Sequence, residues 1–171
     1  MANGRQHIAR TGVNRADAEL FIIRELRLID ERRFDEWLAL FTPDCLYWLP
    51  ISDGDPAIEP SLIYDDHQRL QERIYRIAVA PPAQQPASRT LHNLSNVDVM
   101  EPGPDLVRVT CNLTVFELRP GDPLQVGLAI QRVFAARAEY HLVPRSEFRI
   151  KLKKVWLLNR DEPLYNLTFL F

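Results

Sequence analysis

Ser88-Arg-Thr-Leu-His-Asn-Leu-Ser-Asn-Val97 is where this chain changes its period. Before it, apolar residues recur at three and four positions, as on helices. After it they alternate, as on strands. The stretch itself holds His92, Arg89, two asparagines, two serines and a threonine. Such polar density just ahead of a strand pattern supports two readings. It is either a catalytic pocket or a polar corner that fixes the fold and docks a partner.

Toward the N-terminus, residues 1–15 read as a loose arm ahead of a single domain over 16–171. From Ala16 the spacing turns helical, with Ala18, Ile22, Leu26 and Ile29 on one face. Asn14 suits the N-cap, and Asp17 the positive end of the helix. Phe34, Trp37, Leu38 and Phe41 define a second helix that Pro43 ends. Cys45–Leu49 reads as a short strand stopped by Pro50, and residues 52–60 as a surface loop. A third helix is expected over Asp65–Val79, burying His67, Leu70, Ile74 and Ile77, with Pro81-Pro82 beyond it.

Toward the C-terminus, Val97 and Val99 alternate with Asn96 and Asp98, and Gly103 marks a turn. Val107, Val109, Cys111, Leu113 and Val115 alternate, then Phe116 and Leu118 fall out of phase, which predicts a β-bulge. Gly121-Asp-Pro123 is a turn. Val126, Leu128, Ile130, Phe134, Ala136 and Tyr140 keep one parity on the next strand. Phe148, Ile150 and Leu152 follow, with a second slip at Lys153-Lys154 before Val155 and Leu157. A last strand is expected over Leu164–Phe171. Helices first and mostly antiparallel strands after predict an α+β fold, its helices packed on one face of the sheet. Two bulges imply a strongly curved sheet that wraps the helices as a cone.

Composition narrows the function. The 171 residues carry a formal net charge of −2, so neither nucleic acid nor an anionic membrane is expected as partner. The basic run Arg145–Lys154 alternates with Phe148, Ile150 and Leu152, the pattern of a solvated strand face. Two cysteines are too few for a disulfide framework, and Met1–Val13 has no apolar signal core, so a cytoplasmic location is expected. Cys45 and Cys111 stand 66 positions apart without neighbouring histidines, and His7, His67, His92 and His141 are scattered. No metal or other cofactor is therefore expected on this chain. No nucleophile elbow or phosphate-binding glycine loop is present.

Two sets of candidate residues remain. His92, Asp98, Tyr47 and Asp30 could converge for acid–base chemistry in a cone cavity, as in a free-standing dehydratase or isomerase. Alternatively, His92 is a hydrogen-bonded structural residue. Interface candidates are Tyr47, Trp48, Arg69, Arg73, Arg76, Arg89, His92, Asn93 and Asn96. Adjacent strand residues face opposite sides, so one of Tyr47 and Trp48 must meet something outside the core. Arg89 is expected to pair with a carboxylate, within the chain or across an interface.

Taken together, several segments resemble the small (β) subunits of aromatic-ring-hydroxylating dioxygenases. Phe34-Asp-Glu-Trp-Leu-Ala-Leu-Phe41 with Asp44-Cys-Leu-Tyr-Trp-Leu-Pro50 resembles the start of that family. Ser61-Leu-Ile-Tyr-Asp-Asp66 with Leu70, Arg73 and Arg76-Ile77 resembles its central helix. Pro86-x-Ser-Arg-Thr-x-His-Asn-x-Ser-Asn-Val97 resembles its most recognisable motif, and Lys153-x-Val155 with Leu157-x-Asn159 its closing strands. The resemblance covers about residues 16–171. It implies a nuclear-transport-factor-2-like cone and a non-catalytic, structural chain. It also implies a large (α) subunit carrying a Rieske [2Fe-2S] cluster and a mononuclear non-haem iron, fed from NAD(P)H through a reductase. The implied assembly has three large and three small subunits, which allows a trimer of this chain. The implied reaction is cis-dihydroxylation of an aromatic ring.

Overall fold

The computed structural model describes residues 14–55, 57–79, 86–125, 127–164 and 167–171. Most of the expected arm and the Pro81-Pro82 loop lie outside them. Helix α1 runs Arg15–Asp30, with the Asn14 side chain accepting from Ala16 N as N-cap. Its first residue is one position inside the stretch read as arm. All four expected contacts, Ala18, Ile22, Leu26 and Ile29, are buried.

Helix α2 is shorter than its apolar spacing predicts, Phe34–Leu38. The reason is competition for backbone: Ile150 N donates to Leu40 O, and Phe41 already pairs with Ile150. Strand β1 therefore starts at Phe41 and runs to Pro50, taking in Pro43. Pro43 falls where the ladder is interrupted between Phe41 and Leu46, so its missing N–H costs no sheet bond. Ser61–Asp66, expected to join the central helix, is strand β2, and helix α3 follows as His67–Ala78. Asp66 caps α3 by accepting from Arg69 N at 2.9 Å. Leu70, Ile74 and Ile77 are buried as expected, and His67 only partly.

Strands β3 (Arg89–Pro102), β4 (Val107–Leu118), β5 (Gln131–Val143) and β6 (Arg149–Leu157) complete a six-stranded sheet of order β2-β1-β6-β5-β4-β3. All neighbours are antiparallel except β1 and β6. Helix α1 packs on β3, and α3 on β1 and β2. Most of the opening stretch is thus strand rather than a corner ahead of one.

The bulge expected in β4 is absent. Its inward parity continues unbroken through Val107, Val109, Cys111, Leu113, Val115 and Glu117, in continuous register with β5. Glu117 is buried because Arg132 pairs with it at 2.8 Å and the Ser88 hydroxyl donates to it at 2.7 Å. Phe116 and Leu118 accordingly face the outside. The bulge lies opposite, in β3, where register shifts between Ser95 and Asp98 and Asn96 takes φ +53°. Inward parity there passes from His92 and Leu94 to Val97 and Val99. The second expected slip does occur, two residues early. His141 and Leu142 of β5 oppose Leu152 and Ile150, leaving Lys151 unopposed and turning Lys153 inward. Of the strand expected over Leu164–Phe171, the described residues, 164 and 167–171, are irregular, with Phe169, Leu170 and Phe171 buried inside the sheet.

Asn96 holds the left-handed backbone that asparagine tolerates and β-branched residues do not. Asn96→Val should lower unfolding free energy by about 1–2 kcal/mol, and Asn96→Gly should change it far less, as read by urea denaturation.

Candidate functional site

Besides the Glu117–Ser88–Arg132 contacts, the interior of the sheet holds two polar clusters within an apolar core. The first is built on Glu25, midway along α1 and fully buried. Its Oε1 accepts from the Lys153 ammonium at 2.8 Å and from the Trp37 indole N–H, and its Oε2 accepts from the Tyr140 hydroxyl at 3.2 Å. Lys153 also lies 5.4 Å from the centre of the Tyr140 ring. Burial lowers the Lys153 pKa, with Glu25 opposing, and burial raises the Tyr140 pKa well above its ordinary value. The cluster ties α1, α2, β5 and β6 together.

The second cluster contains the sequence-predicted residues. His92 Nδ1 lies 2.6 Å from Asp30 Oδ1, and His92 N donates to Asp30 Oδ2 at 2.9 Å. Thr90 donates to the same carboxylate at 2.8 Å. Burial pushes the Asp30 pKa up, but the hydrogen bonds and charge of His92, with Thr90, outweigh it and hold it below the usual value. His92 Nε2 lies 3.1 Å from Leu170 O, and the Tyr47 hydroxyl accepts from Phe171 N at 2.9 Å. Phe134, Phe169 and Phe171 pack together, with ring centres 4.9–5.8 Å apart. Asp30, His92 and Tyr47 are thus gathered around residues 168–171. Asp98 is not among them: beyond the bulge it points outward and is exposed.

The remaining candidates divide by face. Tyr47 is wholly buried and Trp48 lies on the outer face, as alternation requires. There the Trp48 indole donates to Ser61 at 2.9 Å and meets the Tyr64 ring edge-on. The Lys154 ammonium sits between two indoles, 3.6 Å from the Trp48 ring centre and 4.4 Å from that of Trp156. Arg73 pairs with Asp65, while Arg69 and Arg76 are exposed on α3. Arg89 is exposed and has no carboxylate partner among the described residues, so an intrachain pair is not formed there. Asn93 and Asn96 are exposed. Across the outer face Leu91, Phe116 and Val133 stand in one row, with Leu91 and Val133 each 57% exposed. Beside it is an open groove of about 800 Å³ lined by Arg108, Arg137, Glu139, Trp156 and Arg160, among others.

Glu25 and Lys153 were missed by the sequence reading. Each interrupts an apolar pattern: Glu25 sits among Ile22, Leu26 and Ile29, and Lys153 shares the inward parity of Val155 and Leu157. Two opposite charges on two inward stripes were the available signal. Neither cysteine is poised for nucleophilic work, since burial raises the thiol of Cys45 to about 11 and that of Cys111 to about 12. Among the described residues no three His, Cys, Asp or Glu side chains group to hold a metal, and no helix is long and apolar enough to cross a membrane.

Helices held on one face of a curved, mixed sheet define a nuclear-transport-factor-2-like cone, a fold shared with solved chains of under 25% identity. The chain belongs to the ring hydroxylating beta subunit family, which it matches over residues 24–161. It is 39% identical over 93 residues to the 2-halobenzoate 1,2-dioxygenase small subunit of Burkholderia cepacia, covering 50% of this chain and 56% of the relative. It is 37% identical over 87 residues to the benzoate 1,2-dioxygenase subunit beta of Acinetobacter baylyi, covering 46% and 52%. The chain thus spans about half the length of these curated relatives. The crystal structure of the beta subunit of benzoate 1,2-dioxygenase from Burkholderia mallei superposes with a TM-score of 0.72 at 25% identity, covering 92% of this chain and 98% of that one.

Removing one member of a fully buried ion pair strands the other, at a cost of about 3–5 kcal/mol. Glu25→Ala should therefore lose about that much stability. The double variant Glu25→Leu/Lys153→Met should lose markedly less than either single change, a comparison made by chemical denaturation. The depressed Asp30 pKa adds stability above the unfolded carboxyl value of 3.8 and loses it as pH falls through the lower folded value. Asp30→Asn should be less stable than the parent at pH 7, and its stability should fall less steeply below about pH 4.

Proposed function

We propose that this chain is the small (β) subunit of a multicomponent aromatic-ring dioxygenase and contributes assembly rather than chemistry. The observation that carries the reading is family membership over residues 24–161. Two features of the molecule support it. The polar groups of the interior are already bonded to one another or to residues 168–171. The outer sheet face, in contrast, offers the Leu91–Phe116–Val133 row and the Trp48–Lys154–Trp156 stack, surface of the kind that partners cover.

On this reading the partner is a large (α) subunit that carries the Rieske [2Fe-2S] cluster and the mononuclear iron, and a reductase delivers electrons from NAD(P)H. Three large and three small subunits form the assembly, in the cytoplasm, and the product is a cis-dihydrodiol. Trp48, Arg69, Arg76, Arg89, Asn93 and Asn96 are the exposed or outward residues left to meet neighbours. Arg89 meets a carboxylate there, because its guanidinium has none within the described chain.

One observation favours a second reading, a free-standing dehydratase or isomerase of the same cone fold: the interior His92–Asp30 pair beside Tyr47. Two measurements test the subunit reading, and the second separates it from a free-standing enzyme. The purified chain should contain neither iron nor acid-labile sulfide, and co-expression with its large subunit should yield one hexameric species by light scattering. Stoichiometric iron on the isolated chain, or two subunits that fail to associate, contradicts the subunit reading.

A further inference from the structure

Strand register sets the outward side chains of the sheet in rows. One row is Ser95, Asn112, Arg137 and Trp156, on β3, β4, β5 and β6 in turn. On one side of it stand Thr114 and Ala135, and beyond them the Leu91–Phe116–Val133 row. On the other side stand Thr110, Glu139, Lys154 and Trp48. The open groove of about 800 Å³ follows these rows. Small side chains, Thr114 and Ala135, lie between large ones, Arg108, Trp156, Leu158 and Arg160, so the face is cleft rather than flat. The acids of the groove are already bound. Glu139 meets Arg108 at 2.9 Å and His141 at 2.7 Å, and Asp53 meets Arg160 at 3.2 Å. Arg137 has no hydrogen bond or carboxylate partner among the described residues, and its neighbours across the ladder, Asn112 and Trp156, carry no charge. On a rim such an arginine is met by water. Arg137 stands in mid-sheet, continuous with an exposed apolar row, where anything that covers the face strips that water away. A covering partner must then bring the counter-charge itself, because an unpaired buried charge is costly. A carboxylate fits the planar guanidinium fork.

We propose that this groove docks an acidic segment of the large subunit, which lies over Thr114 and Ala135 and pairs a carboxylate with Arg137. The identity of the partner rests on the subunit reading; the acidic character of the segment rests on Arg137 and on the prior commitment of Glu139 and Asp53.

The test uses the complex of this chain with its co-expressed large subunit. Arg137→Glu, Arg137→Gln and Arg137→Lys are compared with the parent and with Arg145→Glu, a charge reversal in the exposed turn after β5. Dissociation of each purified complex on dilution is followed by analytical ultracentrifugation. Arg137→Glu should weaken association about tenfold or more, Arg137→Gln less, and Arg137→Lys least, while Arg145→Glu matches the parent. The deficit of Arg137→Glu should shrink between about 0.1 M and about 1 M salt, as screening removes the repulsion. Isolated variant chains should melt at the parent's temperature. A photo-reactive benzophenone attached at Asn112→Cys should cross-link to an acidic stretch of the large subunit. A parent complex that forms, with Arg137→Glu associating equally well, overturns the groove proposal and leaves the subunit reading standing. Two parent chains that never associate overturn both. Variants of Arg137 that lose their own fold, or a cross-link from Asn112→Cys to a second copy of this chain, overturn the groove proposal alone.

Discussion

A carboxylate with no access to water constrains the whole molecule. Glu25 lies at the centre of α1 and contacts no solvent, so its charge must be met by donors from elsewhere in the fold. Lys153, Trp37 and Tyr140 supply them from β6, α2 and β5. None of these residues is near another in sequence, and none can shift its register without stranding the rest. The Lys151 bulge follows from this demand. Ile150 and Lys153 differ in parity, and an extra residue between them is what allows both to point inward. The same device at Asn96 turns His92 and Val97 inward on opposite parities. At these two slips bulge and buried polar cluster coincide: the extra residue sets Lys153 or His92 inside the sheet together with apolar neighbours of the opposite parity.

Much of this was legible in the residues. The α1 stripe, the Asn14 cap, the α3 contacts and the opposed faces of Tyr47 and Trp48 follow from periodicity alone. The readings that failed did so where tertiary partners override local pattern. Phe116 and Leu118 looked like a slip because apolar residues at two successive outward positions read as a change of face; the inward residue between them is the charged Glu117, masked as polar surface. Phe41 left its helix because β6 took the backbone. Ser61–Asp66 paired with β1, an event that six residues cannot announce. A last strand was expected over Leu164–Phe171, yet residues 169–171 fold into the cone, where rings rather than ladder bonds hold them. Within the candidate site, His92, Asp30 and Tyr47 were named in advance, Asp98 was misplaced by the bulge, and Glu25 with Lys153 was overlooked as surface charge.

Inner and outer faces divide the labour. Inside, hydrogen-bond donors and acceptors are matched within the chain, which favours a rigid cone over a reactive one. Outside, indoles, a stacked lysine and an apolar row are displayed beside a mixed-charge groove. The proposed assembly role needs this distribution, a stable interior and an adhesive exterior. An enzyme of the same fold needs the reverse, an open interior whose polar groups await a substrate.

The most direct measurement is turnover by the complex of His92→Gln chains with the proposed large subunit, expressed per iron in the purified complex. The account predicts a rate per iron equal to the parent's, with any loss confined to the yield or thermal stability of that complex. A fully assembled, fully metallated complex with a reduced rate for the chemical step would contradict it and place His92 in the reaction.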